Sequence, residues 1–255
     1  MQKDDIHNLI NNGEFSTIGY QYTIMYMARL FSQAEFLSYK IMALTGKVFS
    51  KYEVQQVFEA FTIKTLCDWE WYIEKIIYEC LKNDTSKLAN QLSLNLPMQI
   101  TTDECIAYLN GLGYFDLKGA SNLKNISKKI LVDSNNPFLN LNKDACKRID
   151  DYYILRNYIA HRSNKSKKSL NSMYSRYQQN TFIEAGDFLL SIDPNKNDLH
   201  IQLFEGSFLL TSFDIVKFLY PKTYNWIMGN EEIYNDKCQA RFLKLVNLSL
   251  NKPKP

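Results

Sequence analysis

The chain is 255 residues long and 45% hydrophobic, enough to bury a sizeable core in one large domain or two small ones. A net charge of +3 on 22% charged residues excludes a polyanion-binding signature in the global composition, so a nucleic-acid partner has to be argued from local clustering. Cys67, Cys80, Cys105, Cys146 and Cys238 form no CxxC pair and His7, His161 and His200 lie far apart, which excludes a local zinc-chelating motif and reads as the reduced thiols of a cytoplasmic protein.

The leader "MQKDDIHNLINNGEF" is polar and acidic where a secretory signal needs basic residues and then an apolar run. From Tyr20 to about Gly46, the residues Ile24, Met27, Phe31, Ala34, Leu37 and Ile41 recur at the helical period, with Gly46 as the stop. Arg29, Gln33, Glu35 and Lys40 in that stretch make it a packed helix and not a membrane span. "SKYE" at Ser50–Glu53 reads as a capping box. The stripe Val54, Val57, Phe58, Phe61, Thr65, Trp69, Ile73, Ile76 and Cys80 then predicts a long helix, the spine of the core.

After the polar break "KNDTSK" a short helix is predicted near Asp103–Leu109, a turn through "NGLGYFDLKGAS", and a helix over about Ser121–Val132. A further helix is predicted over about 142–162, with Asn142 as its cap, Asp144 in its first turn and basic residues at its end. "DFLLSID" and "DLHIQLFE" around "PNKN" predict a small β-hairpin at about 187–205. "TSFD" at Thr211–Asp214 reads as a second capping box, opening a helix that Pro221 kinks or stops, and Glu231–Leu248 is amphipathic. With no repeats and no linker rich in Gly, Pro or Ser, the chain reads as one mainly α domain, 1–255, with that hairpin near its C-terminal third.

The stretch "YYILRNYIAHRSNKSKK", Tyr152–Lys168, carries the residues with the most chemistry. Arg156 and His161 are about 140° apart on an ideal helix, whereas Asp150, Tyr153, Asn157 and His161 share one stripe with Arg156 at its flank. One reading is a solvated helix end whose Arg and His interact with the last carbonyls. The other is a reactive pair. Six arginines times three histidines over 255 residues give about 0.07 chance pairs at this spacing, which weighs against coincidence.

"RNYIAH" resembles the Arg-x4-His signature of HEPN-domain proteins, in its form with a polar residue after the arginine. The helix containing "CDWEWYIEKII" is similar to the earlier long helix of some bacterial HEPN groups, and the motif support covers Ser50–Lys168. The resemblance implies an α-helical bundle that forms a homodimer, with two motif copies facing one cleft. In active members it implies a metal-independent endoribonuclease, commonly a toxin or antiphage-defence effector, with an antitoxin or other defence-system protein as a further partner. Some relatives are noncatalytic modules that bind RNA, a nucleotide or a protein.

Imidazole can take the proton of a ribose 2′-hydroxyl or give one to the departing 5′-oxygen. On this reading His161 supplies that group, a two-fold dimer supplies its second copy, Arg156 holds the phosphate, and Asn157 orients His161 or the ligand. Tyr153 and Glu70 support them, with Glu70 pairing to Arg156 as the resemblance implies, or lying exposed at the helix flank. Arg162, Lys165, Lys167 and Lys168 form an adjacent basic cluster suited to RNA phosphates, although such lysine-rich stretches are commonly just solvated. Tyr152, Tyr153 and Tyr158 are stacking candidates whose helical spacing fits a core role better. No metal, no cofactor and no membrane contact are expected.

Overall fold

A computed structural model describes residues 17–111, 117–221 and 224. His7, Cys238, the amphipathic run Glu231–Leu248 and the centre of the turn after α5 lie outside them. Thr17–Glu35 forms α1, passes into a π-helical turn at Phe36–Ile41, and closes with α2, Met42–Leu44. Gly46, at φ 74°, takes the left-handed conformation that ends the helical run where its sequence predicts.

Lys51–Asn83 is α3, 33 residues and about 50 Å long. Its capping box is formed: Ser50 N donates to Glu53 Oε2 at 2.7 Å and Glu53 N donates to Ser50 Oγ at 3.3 Å, satisfying two orphan amides reciprocally. α4 (Ser86–Leu92), α5 (Thr102–Gly111) and α6 (Ala120–Ile130) follow, then two 3-10 turns at Asp133–Asn135 and Pro137–Asn140. The remaining helices are α7 (Lys143–His161), α8 (Asn164–Tyr174), α9 (Ala185–Leu190) and α10 (His200–Leu219).

α3 is the spine: it packs against α1, α7 and α9, while α10 packs against α7 and α1. Aromatic rings lock these helices together. Tyr26 of α1 stacks on Tyr72 of α3 at 4.5 Å between centroids, Trp69 meets Phe208 of α10 at 5.4 Å, and Phe208 meets Tyr152 of α7 at 5.3 Å. All five rings are buried, and each such side chain contributes roughly 1.5–3 kcal/mol by leaving water. One continuous hydrophobic cluster therefore runs through the described helices.

The predicted hairpin does not form. Its two arms are α9 and the first turns of α10, joined by one isolated antiparallel bridge between Ile192 and Leu199. The run from His200 onward has the helical period when read beyond eight residues: Ile201, Phe204, Phe208, Ile215 and Val216 are all buried on α10, and that long apolar face outweighs the β-preference of its first few residues. The turn cluster "PNKN" is real: Asn195 N donates to Asp193 Oδ1 at 2.8 Å and Asn197 adopts φ 58°.

The second capping box is also corrected. Thr211 and Ser212 lie inside α10, where their hydroxyls donate to the carbonyls of Ser207 and Phe208 at 2.9–3.1 Å, the back-bonding that lets such residues sit within a helix. Asp214 instead accepts from Asn142 N at 2.8 Å, so it braces the start of α7. α10 ends at Leu219, just before Pro221, which cannot donate to a preceding turn.

Candidate functional site

α7 places the motif. Asn142 caps it, its side-chain oxygen accepting from Ala145 N at 2.9 Å, and the helix runs without interruption to His161. Its buried face, including Ala145, Ile149, Tyr152, Leu155 and Tyr158, is held against the core. Arg162 then turns the chain at φ 44°, its N–H donating to Tyr158 O at 2.8 Å. Ser163 caps α8 by accepting from Ser166 N at 3.1 Å. The stretch Asn164–Lys168 is therefore the first turn of a helix, which its polarity had concealed from sequence reading.

The stripe of Asp150, Tyr153, Asn157 and His161 changes character along its length. Asp150 accepts from both the amide and the hydroxyl of Ser121 at the start of α6. Gly119, at φ 138°, lies so close that a Cβ would collide with the Asp150 carboxylate. Tyr153 is buried, and its hydroxyl donates to Glu70 Oε1 at 3.0 Å. Burial, and then the Glu70 carboxylate, push the Tyr153 hydroxyl far above its ordinary range, while Arg156 acts in the opposite sense. A guanidinium thus stands near the Tyr153–Glu70 pair.

Beyond Tyr153 the stripe opens to solvent. Arg156 is half-buried and its Nη1 donates to Asn157 Oδ1 at 3.1 Å; Asn157 and His161 are exposed. Tyr152 and Tyr158, like Tyr153, are buried in the core, with no face open for stacking.

The basic residues divide into two kinds. Arg162 Nη2 donates to Glu59 Oε2 at 2.8 Å and its Nη1 to Glu184 Oε2 at 3.4 Å. Glu184 also accepts from the Tyr158 hydroxyl at 3.0 Å, and Glu59 from Gly186 N at 3.2 Å. This network ties the end of α7 to α3 and to the start of α9. Lys167 Nζ lies 3.9 Å from the centroid of Phe182, a cation–π contact. Lys165 and Lys168 are exposed.

Glu59 and Glu184, which orient Arg162, were not singled out in the sequence; they sit 103 and 22 residues from it, a separation that leaves no local spacing signal. Among the described residues no group of three or more His, Cys, Asp and Glu side chains is placed to hold a metal. No helix among them is long and apolar enough to cross a membrane. What the end of α7 and the start of α8 do offer is an exposed imidazole, a guanidinium bonded to its neighbour and three exposed lysines, Lys167 among them resting on Phe182, within a short length of chain. No family model matches this sequence, and neither a curated protein nor a solved structure is significantly similar to it.

Proposed function

We propose that the chain is a metal-independent endoribonuclease of the HEPN type, acting as a homodimer in toxin or antiphage defence. The observation that carries this reading is the end of α7, where His161 is exposed while Arg156 is held by Asn157 Oδ1 at 3.1 Å. Arg156 binds the scissile phosphate and stabilises the charge that develops on it. His161 takes the 2′-hydroxyl proton, and the partner's copy of the same imidazole protonates the leaving 5′-oxygen. The products are a 2′,3′-cyclic phosphate and a 5′-hydroxyl, and DNA, lacking the attacking hydroxyl, is spared. Two copies answer a geometric need, because one helix turns Arg156 and His161 about 140° apart.

Purified protein incubated with total RNA in EDTA tests this. Fragmentation by the wild type and none by His161→Ala is the expected result; identical RNA from the two proteins overturns it.

A second reading is a noncatalytic module that binds RNA, a nucleotide or a protein at the same surface, where His161, Lys165 and Lys168 are exposed. It requires that Arg156→Ala and His161→Ala weaken association or dimerisation while no enzyme concentration cuts RNA.

A further inference from the structure

Away from the end of α7, a shallow cleft lies between α1 and α10. Leu30, Phe31, Leu209 and Leu210 give it apolar walls, and Arg148, Lys196, Asp198 and Gln202 add polar groups to its lining. Glu205 is a buried residue of that lining, and neither of its carboxyl oxygens, both shielded from solvent, has a hydrogen-bond partner in the protein. Buried carboxyl groups without partners are rare, because each lost hydrogen bond costs roughly 1–3 kcal/mol. An unpartnered carboxyl beneath the wall of a largely apolar cleft is a point where a ligand group could supply the missing bonds.

We propose that this cleft binds a small amphipathic anion, its apolar middle against the leucines, its acidic group on Arg148 and Lys196, and an amide-like head hydrogen-bonded to Glu205. The chemistry follows from the three parts of the lining. Arg148 is anchored by its Nε, which donates to Ser207 Oγ, so its remaining N–H groups are the donors available for a carboxylate or phosphate. The walls accept methylene or ring carbon. A protonated Glu205 offers one O–H donor and one carbonyl acceptor side by side, the pattern an amide complements with two bonds.

Glu205 is in that protonated form at neutral pH: burial pushes its carboxyl up to about 8. The charged groups in the same lining are Arg148 on α7 and Lys196 and Asp198 in the α9–α10 loop, the buried hydroxyl of Tyr152 is a titratable neighbour of Glu205, and α1 lines the cleft with Leu30, Phe31 and Ala34. A ligand ammonium in place of the amide would bring a third cation to a lining that already holds Arg148 and Lys196. This site is independent of the ribonuclease reading and uses none of its residues.

Titration calorimetry on the full chain with a homologous series of dicarboxylic acid monoamides tests the proposal, since neither end of these probes titrates between pH 6 and 9. Saturable binding of at least one member is expected, about tenfold weaker at pH 9 than at pH 6 as Glu205 ionises. Glu205→Gln, which keeps a donor and an acceptor, should retain binding and lose its pH dependence. Glu205→Leu and Arg148→Met should each weaken it by tenfold or more, with circular dichroism confirming the fold. The proposal is overturned if no monoamide saturates the protein, if Glu205→Leu binds as the wild type does, or if hexylamine binds instead and is lost in Glu205→Gln.

Discussion

Arg162 Nη2 donates to Glu59 Oε2 at 2.8 Å across 103 residues of sequence, joining the end of the motif helix to the spine of the core. Glu59 is buried, whereas the Arg162 side chain is half exposed, so the pair is worth less than a fully buried one. Replacing Arg162 with Ala leaves Glu59 with the Gly186 amide as its donor. Urea titration of Arg162→Ala is expected to show a loss of about 1–3 kcal/mol, and Glu59→Gln a loss in the same range.

Lys165 and Lys168 should behave in the opposite way. Both are exposed on the first turn of α8, so their alanine variants are expected to keep stability within about 0.5 kcal/mol of the wild type. If they grip RNA phosphates, each substitution lowers the slope of log affinity against log salt by about one unit. Binding isotherms at several salt concentrations measure this, and an unchanged slope would remove both lysines from the interface.

Gly119 and Asp150 make a second long-range joint. At φ 138°, with the Asp150 carboxylate where a Cβ would stand, Gly119→Ala should cost about 2 kcal/mol or more. Asp150→Ala removes the acceptor of the Ser121 amide and hydroxyl and should cost about 1 kcal/mol. Because both act at one place, the double variant should fall short of the sum of the two losses, which denaturant midpoints would reveal.

Glu205 gives stability a pH dependence of known sign. Its carboxyl titrates at about 8 in the fold against an ordinary value of 4.5, so between those values the native state holds a proton that the unfolded chain has released. Its contribution is therefore fully present below about pH 4.5, declines as pH rises, and is gone above about pH 8. The total is on the order of 5 kcal/mol at most. Glu205→Gln should flatten this slope, and Glu205→Leu should be more stable than the wild type above pH 8; denaturation curves across that range would show either.

The helices with long apolar faces were legible in the sequence, and so were the local caps. Ser50–Glu53 and Asn142 need only residues three positions apart to make their bonds, and α3 displays its stripe over many turns. The hairpin failed because a window of eight residues from Asp198 holds apolar and aromatic residues that suit a strand, while the buried set extending to Val216 has only the helical period. "TSFD" failed because a hydroxyl followed by an acid marks a helix start only where amides lack partners; within α10 the hydroxyls turn back to carbonyls.

At the candidate site, the identity and spacing of Arg156, Asn157 and His161 were legible, but their surroundings were not. That Tyr153 would bury its hydroxyl on Glu70, 83 residues away, depends on how α3 and α7 cross. The same holds for Arg162, whose partners come from two other elements, and for Glu205, whose isolation depends on every helix around it.

Cleavage of a defined RNA oligonucleotide in EDTA, with the new ends identified chemically, tests the role of Arg156 and His161 most directly. The wild type is expected to give 2′,3′-cyclic phosphate and 5′-hydroxyl ends, and a 2′-deoxy residue at the cut position to block that cut. His161→Ala and Arg156→Ala should each slow cleavage by roughly 10² or more with the urea midpoint of His161→Ala unchanged. An intact oligonucleotide with the wild type, or equal cutting by His161→Ala, would contradict the account.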